Sequence, residues 1–465
     1  MKLRLYQFNS TTGRPHANCN KILAALEQAA KASVDLVIFS KGSLTGFMLE
    51  DQAHSSLFLE TAESYLKLLA EKSQVAAVVS FPDGHTWKNL LIKDGQVSDA
   101  AGLLDEYGIA LENSPFILGQ AKTQQARICL NSVGLQEELF FDGESFVTDG
   151  QGNLLAQLKS CEEDYVDVVL DEESLKVLQP PKPACASKIE KIYKVLVLSL
   201  RDYMEKNNFK RAVLGLSGGI DSALVATIAA DAIGGKNLHC VRLPSMFSSE
   251  HSLNDAAAIA SKLGSQLSTI PINSLYENFN KTLADLFANR TPDVTEENLQ
   301  ARIRGTLLMS LSNKFGELLL NTGNKSEGSV GYATLYGDTC GGFSVLKDIY
   351  KTTVYKLAEW RNENWLDMFY GPKRGIIPEN VFVKAPSAEL AHGQKDSDSL
   401  PEYEILDKIL KSLIEKNQSR AEILKEGTDE ATLDKVISML HRSEYKRRQS
   451  PPGVVICRKY KKYSL

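Results

Sequence analysis

Two serines enclose a glycine pair and an aspartate in Ser217-Gly218-Gly219-Ile220-Asp221-Ser222, where a short apolar run, AVLGL, gives way to the alanine-rich ALVATIAADA. This junction constrains the fold more than any other stretch. A strand that ends in such a string and opens a helix gathers backbone N–H groups, two hydroxyls and a helix N-terminus around one point, which makes an anion site. Gly218 and Gly219 carry no Cβ, so the backbone can come close to phosphate oxygens. A serine-capped glycine turn is the ordinary reading of a Gly-Gly pair, but the full string is far rarer than GxGxxG. The GxxxxGK[ST] pattern is absent, so the loop offers no lysine to β,γ-phosphates. The loop is expected to hold pyrophosphate as a leaving group, with Asp221 beside it as a Mg²⁺ ligand.

A chain of 465 residues, 43% hydrophobic and 24% charged, has room for two or three domains of ordinary globular composition. Its net charge of -5 gives no basic footprint for nucleic acid, so a nucleotide is expected as a small ligand and nucleic acid is not expected as a partner. The seven cysteines stand singly, without CxxC or CxxH spacing, which argues against a zinc site and a disulfide framework and for a reduced, cytoplasmic protein. No apolar run approaches the roughly 18 residues of a spanning helix, and the N-terminus has no signal-like apolar region, so no membrane association is expected.

Short apolar runs alternate with helical patterns from the N-terminus, and from about Leu90 the pattern turns β-rich, with hairpin signals at Asp94-Gly95 and at Asp149-Gly150-Gln151-Gly152. This predicts an α/β domain over residues 1–175 and a linker over 176–188, around LQPPKPACAS. Over 189–465 strand and helix alternate again, with helices expected from Ile189 to Glu205, from Ser222, from Leu253 and from Thr295 to Phe315. That alternation is the signature of a doubly wound parallel sheet. From Pro401 the sequence is polar and helical and ends in a basic tail.

With the Ser217–Ser222 string, seven further segments carry a resemblance. SGGIDSA, ENLQARIRG (297–305), TGNKSE (322–327), GYATLYGD (331–338), KDIYKTTVYKL (347–357), PSAEL (386–390), DSDSLPEYEILD (396–407) and EYKRRQ (444–449) occur in the order and spacing of the NAD⁺ synthetase family, within the N-type ATP pyrophosphatases. The resemblance covers about Ile189 to Leu465 and implies a Rossmann-like fold. It also implies ATP-dependent amidation of nicotinate adenine dinucleotide through an adenylate, with release of AMP and pyrophosphate. Carried over by motif, Ser217, Gly218, Gly219, Asp221 and Ser222 resemble the pyrophosphate loop, and Asp221 and Glu327 the Mg²⁺ ligands. Thr322 and Ser387 resemble ATP contacts, and Lys351 the lysine that neutralises a phosphate. Asn298, Arg302, Tyr445 and Lys446 match dinucleotide-binding positions. Each has a plainer reading. Thr322 could cap the next turn, Lys351 could be one solvated lysine of a charged stretch, and Arg302 or Arg304 could pair with Glu297. The family's homodimer, with the dinucleotide at its interface, is carried over in the same way.

The first 175 residues resemble the nitrilase-like glutaminase, of α-β-β-α architecture, that often accompanies this synthetase. FSKGSLTGFMLED resembles FPELxLTGYxxEDL, LENSPF resembles NASPF, and NSVGLQEELFFDGESF resembles NxVGGQDELVFDGxSF. An amidase of this kind needs a Glu base, a Lys and a Cys nucleophile. Lys41, followed by Gly42, stands at the position of the Glu, and only SDAAGLLDEYGIALE separates the segments that should flank the Lys and Cys. Glu50 and Asp51 are the nearby carboxylates that could replace the base. Cys129 and Cys19 read as ordinary buried cysteines. The expectation is a truncated, degenerate glutaminase domain and a synthetase that takes ammonia from outside. The alternatives are glutamine-dependent synthesis with a separate glutaminase, another pyrophosphatase-loop ligase such as a tRNA-thiolating or GMP-forming enzyme, and a catalytically silent nucleotide-binding scaffold.

Overall fold

The computed structural model describes every residue except 85, 118–127, 150, 171–174, 179–186, 289 and 458–465. Residues 179–186 of the expected linker, with Cys185, and residues 458–465 of the basic tail therefore lie outside the described residues. The chain divides into two compact units, Met1–Lys188 and Ile189–Leu465. No described helix is long and apolar enough to cross a membrane.

In chain order the strands of the first unit are β1 (Lys2–Gln7), β2 (Leu36–Phe39), β3 (Ala76–Asp83), β4 (Thr86–Lys93), β5 (Gln96–Asp99), β6 (Ile109–Glu112), β7 (Ile128–Asn131), β8 (Val133–Gln136), β9 (Leu139–Asp142), β10 (Phe146–Thr148), β11 (Leu154–Gln157), β12 (Asp164–Leu170) and β13 (Leu175–Val177). They form a larger sheet in the order β13-β12-β1-β2-β3-β4-β5, a smaller one in the order β11-β10-β7-β6, and the pair β8-β9. The alternation in β2 explains the layering. Val37 and Phe39 face Ile22, Leu26, Leu66 and Leu69 of the helices α1 (Pro15–Lys31) and α2 (Ser56–Lys72). Leu36 and Ile38 face Ile128, Leu130, Val147 and Ala156 of the smaller sheet. The helix α3 (Ala101–Glu106) adds Leu104 to this second core. Asp94 and Gly95, with φ of 50° and 76°, join β4 to β5 as a two-residue hairpin in which Lys93 pairs with Gln96.

The second unit is doubly wound. Its strands β14 (Ala212–Gly215), β15 (Leu238–Arg242), β16 (Gln266–Thr269), β17 (Leu318–Asn321) and β18 (Phe343–Ser344) are parallel, in the order β16-β15-β14-β17-β18. Its helices are α4 (Lys188–Lys206), α5 (Ile220–Ile233), α6 (Glu250–Leu263), α7 (Asn273–Leu283), α8 (Val294–Phe315), α9 (Lys325–Val330), α10 (Lys351–Glu363), α11 (Glu379–Val383), α12 (Tyr403–Leu410), α13 (Arg420–Lys425), α14 (Glu430–Arg442) and α15 (Glu444–Arg447). Capping moves two starts ahead of the apolar pattern. The Ser249 hydroxyl accepts Ser252 N at 3.2 Å, so α6 begins before Leu253. Asp293 accepts Thr295 N at 2.7 Å and its own N–H donates to Glu296 Oε2 at 2.7 Å, a capping box that starts α8 at Val294. The helix α5 is buried on nearly all sides, so its sequence shows an apolar run rather than a stripe. The segment from Leu400 to Leu440 is polar on average, yet Leu406, Ile409, Leu410, Ile423, Leu433 and Val436 close a core with Val330 and Tyr350.

An ion pair with both side chains at 0% exposure lies inside this unit. Arg361 and Asp231 are fully buried, and Nε and Nη2 of Arg361 donate to the two carboxylate oxygens at 2.6 and 2.8 Å. Tyr193 donates to Asp231 at 2.7 Å, and the remaining guanidinium hydrogens go to the carbonyls of Asn364, Pro372 and Lys373. Asp231→Ala strands a buried guanidinium and is expected to cost about 3–5 kcal/mol in urea or thermal unfolding; a loss below about 1 kcal/mol refutes this account of the pair.

Candidate active site

The loop after β14 is shaped by close approach. Gly218 has φ of 84°, and a Cβ there would lie 2.2 Å from the carbonyl oxygen of Ser252 on α6, so only glycine fits. The Ser222 hydroxyl accepts Ser217 N at 3.2 Å and donates to Gly219 O at 3.1 Å, while Gly219 N donates to Ser217 Oγ at 3.2 Å. These bonds turn the chain from β14 into α5 and bring the loop to the first turn of the helix, where backbone N–H groups lack helical partners.

Asp221, on that first turn, meets residues from two other elements. Lys351 Nζ donates to Asp221 Oδ2, and at 3.0 Å to Glu327 Oε1, so one ammonium serves both carboxylates. Asn324 donates to Asp221 Oδ1 at 2.9 Å and, through its own Oδ1, accepts Glu327 N at 3.1 Å as the cap of α9. Tyr403 closes the far side, with its hydroxyl 2.8 Å from Asp396 Oδ2 and 3.4 Å from Glu327 Oε1 and its ring 5.1 Å below the ammonium. Lys351 is therefore a buried member of a charge cluster, not a solvated lysine, and Asn324 does the capping that Thr322 could have done. Burial by itself would lower the Lys351 pKa, but the Asp221 and Glu327 carboxylates overcome it and hold the ammonium protonated above its ordinary range. Burial pushes the Glu327 carboxyl up to about 7, with Lys351 pulling against it and Asp221 adding to it.

A second group of expected residues converges on the segment from Gly331 to Asp338. Asn298 accepts the Thr334 hydroxyl at 2.6 Å, Arg302 donates to Leu335 O at 3.3 Å, and Lys446 donates to Gly331 O and Ala333 O at 2.8 and 2.7 Å. Tyr445, next to Lys446, is exposed. The arginines do not pair with Glu297: Arg304 donates to Leu243 O at 3.0 Å, and Glu297 accepts Gln394 at 3.1 Å. Two glycines bring the segment this close to α8. A Cβ on Gly305 would lie 2.9 Å from the carbonyls of Tyr336 and Gly337, and one on Gly337 would lie 2.8 Å from the backbone of Ala301. Ser387 belongs to neither group; its hydroxyl donates to Gln394 O at 2.6 Å and accepts Glu389 N at 3.1 Å, which shapes its own loop.

In the first unit, Lys41 follows β2 and its ammonium lies 6.0 Å from the Phe47 ring centroid, with its pKa lowered by burial. Its carbonyl accepts the Ser132 hydroxyl at 3.0 Å. Cys129 is buried inside β7 and Cys19 inside α1, where burial pushes its thiol up to about 11. Sequence reasoning missed Asn324, Asp396 and Tyr403 as parts of the site. They lie inside the quoted segments TGNKSE and DSDSLPEYEILD, so the signal was present, but no local pattern assigned them a partner.

Residues 192–450 match the family described as NAD synthase. The chain is 38% identical to a glutamine-dependent NAD(+) synthetase of Rhodobacter capsulatus over 97% of this chain and 95% of that one. It is 35% identical to a protein of the same description from Thermotoga maritima over 98% and 96%. Among solved structures it is similar to a glutamine-dependent NAD+ synthetase from Acinetobacter baumannii in complex with adenosine diphosphate, with a TM-score of 0.74, 34% identity, and coverage of 100% of this chain and 97% of that one. These relatives correct one expectation. The reading of an ammonia-fed synthetase with a degenerate glutaminase does not stand, because proteins alike through both units are named for their dependence on glutamine. That expectation rested on one replaced residue and one short segment, which describe a local pocket and not the source of nitrogen.

The Glu327 shift has a sign that can be measured. A carboxyl raised from 4.5 to about 7 binds more protons in the folded than in the unfolded chain between those values, so its contribution to stability is full below about pH 4.5 and is lost as pH rises through about 7. In ligand-free protein the stability of the parent relative to Glu327→Gln is therefore expected to fall from pH 4.5 to pH 7, measured by urea midpoints at each pH. A difference that is flat or rises over that window contradicts the assignment.

Proposed function

The chain belongs to the NAD synthase family, and on that premise we propose that it amidates nicotinate adenine dinucleotide to NAD⁺ at the expense of ATP. The dinucleotide carboxylate attacks the α-phosphate of ATP, forming an adenylate and releasing pyrophosphate; ammonia derived from glutamine then displaces AMP. The observation that carries this reading is the single ammonium of Lys351, set between Asp221 and Glu327 beside the Ser217–Ser222 loop.

In this reading the loop N–H groups and the hydroxyls of Ser217 and Ser222 bind the leaving pyrophosphate, and Lys351 neutralises its charge. Two carboxylates that reach one ammonium also present the oxygen donors that Mg²⁺ takes together with substrate phosphates, so Asp221 and Glu327 would hold it. Bound there, Mg²⁺ would offset charge on the leaving group. Thr322 and Ser387 are kept as ATP contacts. Asn298, Arg302, Tyr445 and Lys446 hold the dinucleotide against the Gly331–Asp338 segment. The exposed Leu275, Phe279, Leu286 and Val294, all on or between α7 and the start of α8, support a homodimer formed through the second unit. Glutamine is the nitrogen donor in this reading, which the likeness through both units to relatives named for their dependence on glutamine supports. A reducing, cytoplasmic setting fits these single cysteines.

Asp221→Asn and Glu327→Gln are each expected to lower NAD⁺ synthesis at least about 100-fold while the fold is retained, about 2.7 kcal/mol of barrier. A rate within about threefold of the parent removes the residue from the site. The products of the parent enzyme are expected to be AMP and pyrophosphate, read by ³¹P NMR; ADP and orthophosphate would refute attack at the α-phosphate. With amide-¹⁵N glutamine as the nitrogen source, the label is expected in the NAD⁺ carboxamide. Label entering only from ¹⁵N-ammonium would overturn the glutamine assignment.

A further inference from the structure

The helix that presents Lys351 has no cap of its own. Tyr350 precedes α10 and makes no side-chain capping bond, although the first N–H groups of a helix lack intrahelical acceptors. Two of them find acceptors on other elements. Thr352 N donates to Asp407 Oδ2 at 2.9 Å, and Lys351 N donates to Ser326 Oγ at 2.9 Å. The Ser326 hydroxyl in turn donates to Asp407 Oδ1. Asp407 lies on α12 and is 1% exposed. A single buried carboxylate thus ties the start of α10, which carries Lys351, to the turn of α9 that carries Glu327 next to Ser326. Its charge also suits the positive end of the α10 dipole.

We propose that Asp407 is a positioning residue for the transfer reaction, a proposal that rests on the function given above. It acts through Ser326 and the α10 backbone to fix where the Lys351 ammonium and the Glu327 carboxylate stand relative to the leaving pyrophosphate. The arrangement needs a carboxylate. It accepts on both oxygens at once, whereas an asparagine keeps one acceptor and turns an NH₂ toward the other donor. The misfit is local to the starts of α9 and α10, so the reacting groups shift while the surfaces that bind substrate stay in place.

Asp407→Asn is therefore expected to lower kcat about 10- to 100-fold, as a displacement of catalytic groups by about 1 Å does, with KM for ATP and for the dinucleotide within about threefold of the parent. Ser326→Ala keeps the carboxylate on Thr352 N and breaks only the relay to Lys351 N; it is expected to fold as the parent and to lower kcat by about 3- to 10-fold. It decides the question if Asp407→Asn does not fold. A folded variant with the parent's kcat, or one whose KM rises while kcat holds, overturns the positioning role, because a merely structural carboxylate loses stability without this kcat-specific change. Failure of the functional reading itself would be visible separately, as absence of NAD⁺ synthesis in the parent chain.

Discussion

The second unit is organised around one shared ammonium. Asp221, Glu327 and Lys351 come from three helices that begin after three different turns of the chain, and each helix start is held in its own way. Asp221 follows a glycine turn pressed against α6, Glu327 follows an asparagine cap, and Lys351 begins a helix capped from outside. Two carboxylates brought this close repel each other, and their withdrawal from water costs more still. The lysine offsets both effects, at the cost of its own desolvation. Asn324 and Tyr403 supply the further hydrogen bonds without which such a buried charge group would be unstable.

Much of this was legible in the sequence because the reacting groups sit in strings whose local geometry is nearly obligatory. SGGIDS implies a turn and a helix start from its residue types alone, and the strand-helix alternation around it implies a parallel sheet. Lys351 was harder. Its neighbours Lys347 and Lys356 suggest a solvated stretch, and nothing local reveals that its side chain points inward to two acids remote in sequence. Asp396, Tyr403 and Asp407 were hidden for the same reason. A residue that works by bonding across elements leaves no period or spacing behind. The glycines at 305 and 337 likewise matter for what lies opposite them, which a one-dimensional pattern does not record.

The first unit teaches a different limit. Its layers follow from simple alternation, as β2 makes plain, and the Asp94-Gly95 hairpin is fixed by two residues that tolerate positive φ. The source of nitrogen could not be argued in that manner. Lys41 in place of an acid is a sound observation about one position, but the relatives alike over the full length carry the stronger evidence.

Two ion pairs described separately belong to one device. Asp221 and Asp231 both lie on α5, and Lys351 and Arg361 both lie on α10, so the acids are ten residues apart (221 to 231) and the bases are ten apart (351 to 361). Helices rising about 1.5 Å per residue put some 15 Å between the pairs, so α5 and α10 run side by side in the same direction as matched rulers. Inserting or deleting a residue in either span would turn one end by about 100° relative to the other and break one pair whenever the second was made. The spans Asp221–Asp231 and Lys351–Arg361 are thereby committed to equal length: the inert pair at the far end sets the register at which the reactive one must meet.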